Sequence, residues 1–133
     1  MNPAYELEDF IKDCSQGFRK VLIWDCAMRT ARDEFNLFPA RRVLDFIATG
    51  GLEKPNFYNS KIWENNPTPE TEIMIDAWDF YAGGGTYGYI AFFQQPLNKR
   101  WTIKSFKKND KVDSRNLPFQ EPLQKLVLTL NRG

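Results

Sequence analysis

The chain contains no histidine. Imidazole acid–base catalysis is therefore excluded, and a zinc site loses one of its two usual donors. The other donor is scarce as well. Two cysteines, Cys14 and Cys26, are too few for a disulfide framework and lack the spacing of metal ligands. No apolar run approaches the roughly 20 residues a membrane span requires. The N-terminal stretch MNPAYELEDF is acidic and has no apolar segment of the kind a signal peptide needs. Repeats and low-complexity tracts are also missing. These absences predict a soluble, reduced, cytoplasmic protein, off the membrane, that works without metal or cofactor. At 133 residues the expectation is one domain over 1–133 with one modest core.

What is present is unevenly spread. The net charge is only +1, yet the positive charge gathers towards the C-terminal end. Residues 97–133 hold nine Lys or Arg against three acids, whereas residues 61–80 hold one base, Lys61, against five acids. A chain neutral on average can thus carry a basic face.

The first half has helical spacing. NPAYELEDFIKDC predicts a helix capped by Asn2, with Pro3 in its first turn and an apolar stripe through Tyr5, Leu7, Phe10, Ile11 and Cys14. Gly17 ends it. Val21 to Trp24 fits either a short strand or a helix start, and a helix is expected from about Asp25 to Asn36. FPARRVLDFIATGG predicts a third, with Val43, Leu44 and Ile47 inward and Gly50-Gly51 as its stop. Beyond it the period becomes two. KIWENN is a candidate short strand, and EIMIDAWDFYA, YGYIAFFQQ and RWTIKSF read as a meander around a GGGT turn. PLQKLVLTL reads as a short closing helix, with an edge strand as the alternative. The expected architecture is α+β, with N-terminal helices packed on a curved antiparallel sheet of three to four strands.

Several motifs have a plain reading. Phe92 and Trp101 belong in the sheet core. AGGGTYG joins two strands and lacks the Lys-Ser/Thr ending of a phosphate loop, so it is a hairpin turn. Asp76 and Asp79 are three apart in a strand and point to opposite faces, which excludes a shared carboxylate site. Lys104, Lys107 and Lys108 can be a solvated strand end that protects an edge. They become a phosphate site if they share a concave face with polar groups such as Gln94. Without histidine, lysine or arginine can still stabilise a charged phosphorane, and tyrosine, lysine or glutamate can move a proton from a 2′-hydroxyl.

The segments CAMRTARDEFNLFPARRVLDFIATGGLEKPNFYNS, TYGYIAFF and WTIKSFKKN, in that order, resemble the MqsR type of bacterial toxin, within the RelE-like endoribonucleases. The likeness covers about residues 20–109 and leaves 110–133 as an extension. That family has a Ser-Ala-Leu helix and a Val-Ile helix, then Phe-Tyr-Lys-Ser, Ile-Trp-Gln-Asp, a Val-Tyr-Leu-Lys strand and a final Val-Ser-Phe-Lys strand. The resemblance implies a RelE-like fold and a metal-independent mRNA endonuclease, with or without the ribosome. A cognate antitoxin would cover the basic face. It places Lys107 at the closing lysine and Tyr87 or Tyr89 at the strand tyrosine. Asn59 stands where the family has lysine, with Lys61 as its substitute, and Glu64 or Asp79 stands at the glutamine. The implied catalytic set is Lys107, Tyr87 and Lys61, and the implied RNA-binding set is Lys104, Lys108, Tyr89, Gln94 and Arg100. On the residues alone, a protein-binding module or a small-ligand cone remains open.

Overall fold

The computed structural model of the chain describes residues 2–111. The stretch expected to form a closing helix, PLQKLVLTL, lies outside them. Three helices precede most of the sheet: α1 (Leu7–Cys14), α2 (Asp25–Phe35) and α3 (Ala40–Ala48). The strands are β1 (Val21–Ile23), β2 (Glu53–Ile62), β3 (Met74–Ala82), β4 (Thr86–Gln94) and β5 (Trp101–Lys108). They form one sheet in the order β1-β5-β4-β3-β2, in which β1 runs parallel to β5 and the other pairs are antiparallel. The α+β class is as expected. The strand count is not: five strands in a mixed sheet replace three or four antiparallel ones.

The helices follow from their apolar spacing. Phe10 and Cys14 of α1, Ala27 and Ala31 of α2, and Val43, Leu44 and Ile47 of α3 are all buried. They meet Phe80, Ile90, Phe92, Trp101, Ile103 and Phe106 from one face of the sheet. Phe10 lies flat on Phe92, with ring centroids 3.9 Å apart and planes within 3°. The two alanines of α2 permit a close approach to β5, where the Thr30 hydroxyl donates to the Phe106 carbonyl. Asn36, left-handed at φ 58°, closes α2 as Leu37 N–H reaches back to Ala31 O.

α1 starts later than its sequence implies. Asp76 is fully buried, and its carboxylate accepts the backbone N–H groups of Ala4 (3.1 Å) and Tyr5 (3.0 Å). These two bonds hold the entering segment against β3. The helix begins at Leu7 instead, with Glu6 at its N-cap.

The sheet departs from the period-two reading at its two ends. β1 is only three residues long, and its parallel partner lies about eighty positions away in the chain (Val21 opposite Trp101). β2 contains Pro55, which is tolerated because β2 is an edge strand. The hairpin between β3 and β4 turns through Gly84 and Gly85, both at φ 90°, where an L side chain would be strained.

Gly88 has a different reason to be glycine. A Cβ there would lie 2.5 Å from Cζ of Phe80, whose ring is wholly buried. Gly88→Ala is expected to cost about 1–3 kcal/mol by overpacking, read as a lower denaturation midpoint with an unchanged denaturant slope.

Candidate nucleic-acid interface

Among the described residues the helices leave the second face of the sheet open, and side chains cross it in rows. One row, strand to strand, is Asp79, Tyr89 and Lys107. The next is Asn59, Ala77, Ala91 and Ser105. Lys61 and Ile75 follow on the β2 side. All of these but Asp79 form the floor and walls of a cleft of about 600 Å³, whose rim includes Tyr58, Trp63 and Lys111.

Two bulges aim side chains into it. On β5 the register runs from Ile103 opposite Phe92 to Ser105 opposite Ala91, leaving Lys104 as the extra residue. Lys104 and Ser105 consequently both line the cleft. The bulge also reverses the alternation, so that Phe106 enters the core while Lys107 faces the cleft. The Lys104 carbonyl is met at 3.5 Å by the thiol of Cys26 on α2. On β2 the register runs from Phe57 opposite Trp78 to Asn59 opposite Ala77, and Tyr58 is the extra residue. Tyr58 and Asn59 both line the cleft.

Charge follows this geometry. Lys61, Lys104, Lys107, Lys108 and Lys111 line the cleft, against two acids, Glu64 and Asp110. Three of the five lysines sit over aromatic rings. Lys104 Nζ is 5.8 Å from the Trp24 ring centre, Lys107 Nζ 5.5 Å from Tyr89, and Lys111 Nζ 5.1 Å from Tyr58. Lys111 also donates to the Tyr58 hydroxyl at 2.6 Å, and this bond raises its pKa. Tyr58 and Tyr89 meet edge to face with centroids 6.1 Å apart. Burial raises the pKa of Tyr89, with the neighbouring Tyr58 and Asp79 adding to the effect, so its hydroxyl stays protonated through neutral pH.

Of the residues singled out in the sequence, Lys61, Lys104, Lys107, Lys108 and Tyr89 come together here. Tyr87 does not line the cleft. It shares the open face but packs on Tyr81, its cross-strand neighbour, with centroids 5.2 Å apart. Gln94 borders a separate hollow with Tyr5, Asp13 and Trp101, and its amide donates to Lys99 O at 3.0 Å. Arg100 ties its loop to the 3₁₀ turn Gly17–Arg19 by donating to Phe18 O at 2.7 Å. At the glutamine position, Glu64 lines the cleft, while Asp79 accepts a hydrogen bond from Asn109 at 2.8 Å. Asp76 and Asp79 do point to opposite faces.

Sequence reasoning missed Tyr58, Trp63 and Lys111 as cleft residues. The first two stand in NFYNS and IWEN, but nothing in their local pattern shows which face they take. Among the described residues, no three Cys, Asp or Glu side chains gather to hold a metal ion. Nor is any helix there long and apolar enough to cross a membrane.

Comparison of the chain with known protein families, with curated proteins and with solved structures finds no match. Fold and site still define a class: an α+β domain whose sheet carries a basic, aromatic cleft on the face away from its helices.

Proposed function

We propose that this chain is the toxin of a toxin–antitoxin pair, a metal-independent endoribonuclease that cuts mRNA in the cleft. One observation carries the reading: five lysines and two tyrosines converge on a single concave surface. Phosphate affinity needs the lysines, and single-stranded RNA needs rings against which bases can lie. The RelE-like form of the fold and the cytoplasmic setting belong to the same proposal. So does an antitoxin that covers the basic face.

The chemistry is an in-line displacement. The 2′-oxygen bonds to the adjacent phosphorus as the P–O5′ bond breaks, leaving a 2′,3′-cyclic phosphate and a 5′-hydroxyl. The Tyr58 oxygen accepts the 2′-proton while its own phenolic proton passes to solvent, and the Lys111 ammonium 2.6 Å away offsets the negative charge that develops on that oxygen. Lys107 and Lys104 carry the charge that builds on the phosphoryl oxygens. Tyr89, kept protonated by burial, passes its proton to the departing 5′-oxygen and recovers one from solvent. Lys61 and Lys108 hold the flanking phosphates.

The test uses purified protein and end-labelled single-stranded RNA in the presence of EDTA. Cleavage to cyclic-phosphate ends is expected, as is growth arrest when the chain is expressed without an antitoxin. Binding should weaken with salt, and each cleft lysine changed to alanine should flatten the log–log slope by about 0.7. Tight, salt-sensitive binding to an acidic protein with no affinity for RNA would make the cleft a protein-docking surface instead.

A further inference from the structure

The cleft is flanked by rings at two ends, and only one end carries the proposed chemistry. At the far end Trp63 packs on Phe93, with centroids 4.6 Å apart and planes 32° from each other. Trp24 closes the cluster, 5.9 Å from Trp63 and 6.2 Å from Phe93. Phe93 is buried beneath, while both tryptophans are half-buried and keep exposed surface. Trp63 is a cleft residue, and the cleft lysine Lys104 reaches over Trp24. A fully apolar role would have buried these indoles, and solvation of the face alone would not have required them. A rigid, exposed indole on a buried ring, beside a cation, is what an aromatic ligand with a charged backbone would use.

We infer that Trp63, backed by Phe93 and extended by Trp24, is a nucleobase platform that seats a base away from the scissile phosphate and restricts the substrate to unstacked single strands. The inference rests on the reading of the cleft as an RNA site. Spacing gives it content. Tyr89 and Phe93 are four residues apart on β4, so the tyrosine pair and the tryptophan platform are separated by about 13 Å. Stacked neighbours in a duplex strand lie only about 3.4 Å apart. Bases on the two platforms are therefore not stacked neighbours, and the strand between them is drawn out over Ala77 and Ala91. These paired alanines bring no bulk to the floor, which leaves the intervening backbone room to descend towards Lys104 and Lys107.

The experiment measures binding of a short 2′-O-methyl oligoribonucleotide, which lacks the attacking hydroxyl and survives intact. The same oligomer with abasic sites serves as the backbone-only probe. Trp63→Ala should bind the normal oligomer about 5- to 150-fold more weakly with an unchanged salt slope. It should bind the abasic oligomer as wild type does. Trp63→Phe should restore much of the loss, and the normal oligomer should quench wild-type tryptophan emission more than the abasic one. The inference is overturned if Trp63→Ala binds the normal oligomer as tightly as wild type. It is overturned equally if that variant loses both oligomers alike, which marks a structural role. In either case, salt-dependent wild-type binding leaves the RNA site standing. Wild type that binds neither oligomer removes the RNA site and this platform together.

Discussion

Trp101→Ala should destabilise the protein by about 3–5 kcal/mol, a large share of the roughly 5–15 kcal/mol that holds a typical domain folded. Trp101 is only 2% exposed and begins β5, where that strand pairs with both β1 and β4. Its ring meets Tyr5, Phe10 and Phe92 at centroid distances of 5.3, 5.4 and 5.6 Å. One side chain thus links the pinned N-terminal segment, α1 and the sheet. Alanine would empty that junction and leave the Asp13 carboxylate without the indole N–H it accepts at 2.9 Å. Trp101→Phe separates the two losses. It keeps most of the ring packing and should cost about 0.5–1.5 kcal/mol for the hydrogen bond. Urea unfolding checks both values. A Trp101→Ala midpoint close to wild type would show that α1 and the N-terminal segment contribute little to cooperative folding.

Much of the core was legible because it obeys simple periods. Val43, Leu44 and Ile47 point inward from α3 as their spacing requires. Phe92 lies in the core and the glycine run turns the hairpin. What could not be read is what breaks a period or joins distant residues. In a regular strand Trp101, Ile103, Ser105 and Lys107 would share one face, which would send Lys107 under the helices. A single bulge at Lys104 puts Phe106 there instead and turns Lys107 to the cleft. The bulges on β2 likewise hid a ten-residue strand behind an irregular pattern, so that only its last residues looked extended. The local pattern left Val21 to Trp24 open between a short strand and a helix start, and β1 is decided only by its pairing with a strand far along the chain. Tyr58 was hidden for the same reason as β2, since it is the bulged residue itself. Four of the five cleft lysines could be named because charge needs no register, but their common cleft is a product of the two bulges.

Tyr58→Phe should lower RNA cleavage by about 10²–10⁴-fold, and Lys107→Ala by about 10²–10³-fold, with thermal midpoints close to wild type. Both side chains are exposed, so neither change opens a cavity in the core. Tyr58→Phe keeps the ring that faces Tyr89 but removes the oxygen that Lys111 holds, so binding of uncleavable RNA should survive. Lys107→Ala should weaken both binding and cleavage, since a phosphate contact acts before and during the reaction. The strand tyrosines supply an internal comparison. Tyr89→Phe should cost more activity than Tyr87→Phe, because Tyr89 lines the cleft while Tyr87 rests on Tyr81. The pH profile adds a separate check. With no histidine in the chain, the rate should show no step between about pH 6 and 7 where imidazole titrates. Tyr89 must be protonated to serve the leaving oxygen, and its pKa lies above the ordinary tyrosine value of about 10. Its contribution should hold through neutral pH and fall only as the pH rises past that raised value. Full activity in a Tyr58→Phe, Lys107→Ala double variant would remove the chemistry from this cleft and leave it a binding surface alone.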